Sequence, residues 1–141
     1  MYPAENRLTI MGRLDEIPRA RDFVAAIARD IGLSDKSVHH CILAVDETCT
    51  NIIEHGYQHQ GQDKSIEIIC VVEPVRLIIS IRDEGPAFNP LVRTDPDPAT
   101  PLEEREHGGW GIYFVKEFMD LVLYSRDGNY NQLTMSKNLT A

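Results

Sequence analysis

Basic residues are scarce in this chain of 141 residues. It has 14 lysines and arginines against 22 aspartates and glutamates, which gives a formal net charge of −8. Domains that bind nucleic acid usually present a basic face, so this balance argues against direct contact with nucleic acid. It does not argue against an anionic ligand, because backbone N–H groups and a bound metal can hold phosphate with few cationic side chains.

Long apolar runs and a basic-then-apolar leader are also missing. No segment approaches the roughly 18 apolar residues that a membrane-spanning helix needs. The cysteines are Cys41, Cys49 and Cys70, an odd number without a CxxC spacing, and all three fall in apolar segments. This pattern predicts buried, reduced thiols. We therefore expect a soluble, cytoplasmic protein that does not bind a membrane.

The length fits a single domain that spans residues 1–141. Apolar periodicity predicts strands at 6–12, 66–72, 75–82, 121–125 and 132–136, and helices at 17–31, 34–54 and 111–119. Tight turns join neighbouring strands, which favours a mixed or antiparallel sheet. We expect the helices to cover one face of it. The sequence thus predicts the α+β class, as a two-layer α/β sandwich.

Prolines are concentrated between residues 86 and 108, a segment that is also rich in charge. They occupy positions 86, 90, 96, 98 and 101. Proline breaks helices and removes strand donors, so this segment is predicted to be a long loop. Long loops inside compact domains often act as lids.

Glu47 and Asn51 lie four residues apart on the second predicted helix, so their side chains are neighbours. A carboxylate and an amide oxygen are hard ligands of the kind that Mg²⁺ uses together with water and phosphate. The carboxylate is also a candidate general base. Taken alone, the pair is more typical of a solvated helix face.

Two further glycine-containing segments follow. The third predicted strand runs into Asp83 and Gly85, where a carboxylate can accept a hydrogen bond from an exocyclic amine and glycine permits close approach. Gly108, Gly109 and Gly111 precede the last helix, and their N–H groups can hold a polyphosphate. Each segment also has an ordinary interpretation, as an Asx turn or a common glycine-rich loop. Neither a Walker loop nor a Rossmann fingerprint is present.

The order of these segments resembles the GHKL ATPase superfamily, which has the Bergerat ATP-binding fold. Residues 47–51 (ETCTN) match its N box and continue into 55–57 (HGY). Residues 83–88 (DEGPAF) match the first glycine box, and 108–112 (GGWGI) match the second. Within the superfamily the chain is most similar to the bacterial anti-sigma-factor serine/threonine kinases.

The resemblance implies ATP and Mg²⁺ as ligands and a role for each matched residue. Asn51 would ligate Mg²⁺, and Glu47 would act as the general base on an incoming serine or threonine hydroxyl. Asp83 would bind the adenine amino group, and Gly85 would let the base approach. Thr134, on the last strand, would join the adenine pocket through water.

The phosphates would be held by Gly108, Gly109 and Gly111 together with the lid at about 86–108. Arg93 or Arg105 could cap the γ-phosphate, although a solvated loop charge is the more ordinary interpretation of each.

The implied function is phosphorylation of a STAS-domain anti-sigma-factor antagonist, with a sigma factor as a second partner. A homodimer formed through the sheet is also implied, with residues 6–12 as an edge strand. Two alternatives stay open: an ATP-binding regulatory module that switches partner binding without phosphoryl transfer, and a detached catalytic domain that serves a histidine phosphotransfer protein. The proline-rich lid and the single-domain length disfavour the latter. Pro86 and Ala87 replace a glycine usual in histidine kinases, which disfavours a sensor kinase, and His39 and His40 lie within the ATP-binding helix, which disfavours them as phospho-acceptors.

Overall fold

The computed structural model describes residues 4–92, 97–99 and 110–139. The strands are β1 (Ala4–Met11), β2 (Ser65–Val72), β3 (Arg76–Asp83), β4 (Leu121–Asp127) and β5 (Tyr130–Asn138). The α-helices are α1 (Ile17–Asp30), α2 (Asp35–Asn51) and α3 (Trp110–Phe118). Short 3₁₀ turns occur at Leu14–Glu16 and Pro90–Val92.

The strands form one five-stranded sheet in the order β1-β2-β3-β5-β4, and all neighbouring strands are antiparallel. The predicted α+β class is confirmed, and the sheet is antiparallel rather than mixed. β1 and β4 are its edges, as the sequence predicted for the first strand.

Alternate residues of the central strands point towards the helices and form the core. Ile68 on β2, Ile79 on β3 and Met135 on β5 are fully buried in one cluster with Val24 of α1 and Val45 of α2. Thr48 on α2 donates a hydrogen bond to the Met135 sulfur at 3.9 Å. The even-numbered residues of β2 and the odd-numbered residues of β3 and β5 therefore face the helical layer.

Helix α2 begins as its sequence predicts and ends differently. Ser34 is the N-cap residue, and its hydroxyl accepts a hydrogen bond from the Ser37 N–H at 3.1 Å. The regular helix stops at Asn51, and one π-helical turn follows at Ile52–Gly56. Single π turns recur at functional sites because the wider turn redirects the residues that follow it.

Cys41, Cys49 and Cys70 are buried and unbridged, which confirms their predicted state. Within the described ranges, no helix combines the length and the apolar character needed to cross a membrane.

Candidate functional site

A largely apolar cavity opens between α2, the end of β3 and the β4–β5 hairpin. We call it the apolar cavity. Its apolar walls come from four separate parts of the chain, and polar groups enter it only at a few points. The lining residues are Thr48, Asn51, Ile52, Gly56, Ile81, Asp83, Pro86, Phe88, Pro90, Ile112, Tyr124, Asn131 and Leu133.

Asp83 is the charged group of the apolar cavity, and it is 7% exposed. Its Oδ1 accepts hydrogen bonds from the Gly85 N–H at 2.8 Å and from Asn131 Nδ2 at 3.1 Å. Burial raises the pKa of Asp83, and these two hydrogen bonds oppose that rise. No described residue donates to Oδ2. That oxygen can therefore accept a hydrogen bond from a ligand in the cavity.

Tyr57 supports the turn after Asp83 by linking it to the start of β2. Its hydroxyl donates to the Ser65 carbonyl at 2.7 Å and accepts from the Glu84 N–H at 2.8 Å. Its ring packs so closely against Gly12 and Gly61 that a Cβ at either position would collide with it. Burial raises the pKa of Tyr57 to about 12, so the hydroxyl keeps its proton. The HGY motif therefore braces the end of β3.

A second depression adjoins the apolar cavity, and we call it the acidic cleft. It is lined by Glu47, Thr50, Asn51, Glu54, His55, Gly111 and Ile112. Asn51 and Ile112 line both spaces, so the two form one continuous groove.

Glu47 projects from α2 towards the first turn of α3. Burial raises the pKa of its carboxyl group, and the nearby charges of Asp46 and Glu54 raise it further. No described residue forms a hydrogen bond with the Glu47 carboxylate. A carboxylate with a raised pKa and no such partner is suited to accept a proton from a bound hydroxyl group.

Two glycines permit the close approaches that shape this groove. A Cβ at Gly111 would collide with Glu47 Oε2, so any larger residue at this position would have to displace the Glu47 carboxylate. A Cβ at Gly85 would lie 2.9 Å from Asp83 Oδ1 and 3.5 Å from the Gly56 carbonyl oxygen. At both matched positions, glycine therefore leaves the neighbouring site carboxylate undisturbed.

The donor set of the acidic cleft fits Mg²⁺ bound together with phosphate. Glu47 and Glu54 would repel a polyphosphate unless a cation lay between them. In the described part of the chain, no group of three or more His, Cys, Asp or Glu side chains could form a metal cage by itself. Mg²⁺ commonly takes only one or two protein ligands and completes its shell with water and phosphate oxygens, and the Asn51 amide oxygen is a suitable ligand of this kind.

The structure brings five of the predicted site residues to one groove: Glu47, Asn51, Asp83, Gly85 and Gly111. Gly108, Gly109, Arg93, Arg105 and most of the predicted lid lie outside the described residues.

Thr134 is not part of the groove. Its hydroxyl lies 3.3 Å from Ser80 Oγ and accepts from Gln132 Nε2 at 3.2 Å, on the sheet face away from the helices. The reason is strand periodicity: Leu133 faces the cavity, so its neighbour must face the opposite side. The prediction that Thr134 joins the adenine pocket is therefore wrong, because its side chain lies on the opposite face of the sheet.

Asn131 and Tyr124 line the apolar cavity and were missed by sequence reasoning. The Tyr124 hydroxyl donates to the Asn131 side-chain oxygen, and Asn131 in turn contacts Asp83. The hairpin register, in which Tyr124 pairs with Leu133, places the side chains of both residues on the cavity side of the sheet. The Asp127-Gly128 dipeptide was the available signal, because it marks the start of the hairpin turn at Gly128–Asn129.

Comparisons with known proteins agree with this geometry. The profile of the histidine kinase-like ATPase domain matches residues 10–137. The anti-sigma F factor of Clostridium acetobutylicum is 29% identical over 138 residues, covering 97% of this chain and 95% of that protein. The serine-protein kinase RsbW of Halalkalibacterium halodurans is 24% identical over 141 residues, covering 97% and 85%. The serine/threonine-protein kinase BtrW of Bordetella bronchiseptica is 27% identical over 96 residues, covering 68% and 67%.

A solved structure of the RsbU and RsbW domains of Rv1364c from Mycobacterium tuberculosis has the same fold. The TM-score is 0.67 at 14% identity, over 96% of this chain and 32% of that chain. Since the domain profile covers most of the sequence and its motifs meet in one groove, the chain belongs to the family of histidine kinase-like ATPase domains.

Proposed function

We propose that this protein is an ATP-dependent serine/threonine protein kinase of the anti-sigma-factor type. In this proposal it phosphorylates a STAS-domain antagonist and sequesters a sigma factor. The names of its relatives, an anti-sigma F factor and the kinases RsbW and BtrW, support a protein-kinase role and an anti-sigma role at modest identity, and the STAS-domain substrate is this proposal's own addition.

The apolar cavity is the proposed site for adenine. Its apolar walls suit a flat heteroaromatic ring, and the Asp83 carboxylate would accept a hydrogen bond from the exocyclic amino group. The ribose and phosphates would then run past Asn51 into the acidic cleft, because that residue lines both spaces. A buried carboxylate that is left unpaired by the wrong base is a strong basis for discrimination.

In the acidic cleft, the Asn51 side-chain oxygen is the proposed protein ligand of Mg²⁺. When bound, the metal ion supplies positive charge to the phosphates, which is the main requirement for phosphoryl transfer. The first turn of α3, which begins at Trp110, presents backbone N–H groups at the same cleft.

Glu47 carries the proposal that the protein is an enzyme. Its carboxyl group has a raised pKa, lies beside Asn51 and accepts no hydrogen bond from the described residues. In the reaction it would remove the proton from the attacking serine or threonine hydroxyl. A module that only binds ATP has no use for a carboxylate held in this way.

The test is phosphate transfer from radiolabelled Mg-ATP to a STAS-domain protein of the same organism. We expect an acid-stable phosphoprotein. Glu47→Gln should reduce the rate by a factor of about 10² to 10⁴, with the ATP dissociation constant nearly unchanged, because general base catalysis contributes about this much. Glu117→Gln on the exposed side of α3 is the matched control and should transfer normally.

Other outcomes identify the alternatives. ATP binding without any transfer would indicate a regulatory module that switches partner binding. Acid-labile phosphate on the partner would indicate histidine phosphotransfer. The edge position of β1 supports the additional proposal of a sheet-mediated homodimer, which sedimentation at several concentrations would test.

A further inference from the structure

The side chain of Asn131 connects the end of β3 to the loop that follows it. Its Nδ2 lies 3.1 Å from Asp83 Oδ1, 3.2 Å from the Gly85 carbonyl oxygen and 2.9 Å from the Pro86 carbonyl oxygen. Asn131 is 7% exposed, so these contacts are made away from water. The two N–H donors of this buried amide are shared among three acceptors, which holds the whole turn in one arrangement.

The other end of the same amide fixes its orientation. Its Oδ1 accepts from the Phe88 N–H at 3.3 Å and from the Tyr124 hydroxyl. A flipped amide would direct its NH₂ group at a backbone N–H and its oxygen at three acceptors. The network therefore permits one orientation, in which Asn131 presents donors to Asp83.

This orientation determines what Asp83 can do. Its Oδ1 already accepts from Asn131 Nδ2 and from the Gly85 N–H, so a proton on that oxygen would meet two donors. Burial favours the protonated form of Asp83 and raises its pKa, whereas these hydrogen bonds and Arg126 on β4 lower it. Glu84 and Tyr57 are the other titratable groups that interact with it.

We propose that Asn131 is a positioning residue that determines base specificity, because its donor keeps Asp83 a hydrogen-bond acceptor towards the ligand. The inference rests on the proposed nucleotide site and deepens it. A carboxylate acceptor pairs with the 6-amino group of adenine and repels the 6-oxo group of hypoxanthine. Without the Asn131 donor, Asp83 takes up a proton more readily and can donate to the 6-oxo group instead.

The variant Asn131→Asp tests this directly, because it keeps the shape and replaces the donor by a second carboxylate. Charge repulsion between the two carboxylates makes the pair retain a shared proton, and in part of the molecules that proton lies on Asp83 Oδ2, where it is donated to the ligand. We expect the preference for ATP over ITP, measured as the ratio of dissociation constants, to fall by about tenfold or more. Raising the pH should restore it in part, since the shared proton is then lost.

Asn129→Asp is the matched control. It places the same charge in the exposed hairpin turn two residues away, where the ratio should not change. If Asn131→Asp does not fold, Asn131→Ala removes the donor without adding charge and should lower the ratio by a smaller factor.

The outcomes separate this inference from the proposed function. Wild-type protein that binds neither nucleotide would overturn both. Wild-type protein that prefers ATP, with variants at Asn131 that weaken ATP and ITP equally at every pH, would overturn only the specificity role. In that case Asn131 would merely be structural.

Discussion

The two ends of the groove are built in opposite ways. In the apolar cavity, Asp83 is buried, and hydrogen bonds from Asn131 and Gly85 hold one of its oxygens. In the acidic cleft, Glu47 and Asn51 are half-buried, and no described residue forms a hydrogen bond with the Glu47 carboxylate. In the first region the protein fixes one Asp83 oxygen and leaves the other to a ligand, whereas in the second region the Glu47 carboxylate is not held by any described residue.

This difference indicates which part of a ligand is recognised and which part undergoes chemistry. A rigid pocket with one open acceptor discriminates between bases because a wrong base leaves that buried acceptor unpaired. Groups that must exchange protons and metal ligands during a reaction cannot be fixed in the same way. We therefore expect substitutions in the apolar cavity to affect affinity and stability, and substitutions in the acidic cleft to affect metal dependence and rate.

The largest effect on binding should come from Asp83→Asn. The amide oxygen must take the place that accepts from Gly85 and Asn131, so the NH₂ group faces the ligand and meets the adenine amino group. We expect ATP affinity measured by calorimetry to fall about 100-fold, since a hydrogen bond to a buried charge is lost. Asp30→Asn, at the exposed end of α1, should bind normally, and equal affinities would contradict the assignment of Asp83.

Tyr57→Phe should lower the free energy of unfolding by about 2 kcal/mol, because the Glu84 N–H and the Ser65 carbonyl both lose their partner. Urea denaturation measures this. Tyr130→Phe is the control: that residue is 42% exposed, and its loss of a hydroxyl should cost little. Similar losses of unfolding free energy in the two variants would show that the Tyr57 hydroxyl does not stabilise the turn after Asp83.

Asn51→Ala should have a smaller effect, which is confined to the dependence of ATP affinity on Mg²⁺. Wild-type protein should bind ATP about tenfold more tightly with Mg²⁺ than without it, and the variant should lose this difference. Its affinity without metal and its unfolding free energy should be unchanged. Calorimetric titration with and without Mg²⁺ measures both states, and a retained metal dependence would exclude Asn51 as the ligand.

The smallest effect is a gain in stability for Glu47→Gln. Because the pKa of Glu47 is raised on folding, its favourable contribution to stability is present in acid and is lost as pH rises above about 4.5 through the folded value. At pH 7 the charge is therefore mildly unfavourable. We expect the variant to be more stable by a few tenths of a kcal/mol after solvent screening, and to lack this pH dependence. A loss of stability would mean that Glu47 supports the fold.

Local sequence was sufficient for the elements and for most of the groove. Helical spacing placed Glu47 beside Asn51, and the strand-to-glycine transition placed Asp83 beside Gly85. Both pairs are only a few residues apart in the chain, and the periodicity of a helix or strand predicts such short-range placements well. The hydrogen bond between Asn131 and Asp83 joins residues 48 positions apart, and only the strand order brings them together.

Thr134 illustrates a different kind of error. Leu133 and Met135 are apolar and flank it, so strand alternation already required Thr134 to point away from the helices. A threonine hydroxyl could form a water-bridged contact with a ligand. However, the alternation of side chains along β5 places Thr134 on the face opposite the cavity. The face that a strand residue presents should be established before its chemistry is considered.

The π turn at Ile52–Gly56 has a consequence for how this chain tolerates length changes. It contains one residue more than a regular helix needs, and Gly56 and Tyr57 reach β3 only after that extra residue. Because the wider turn absorbs the extra residue, deleting one residue there would restore a regular helix and leave the residues beyond it in nearly the same orientation relative to Asn51. A one-residue gap between Asn51 and Tyr57 is therefore the length change that we expect homologous chains sharing the groove to tolerate.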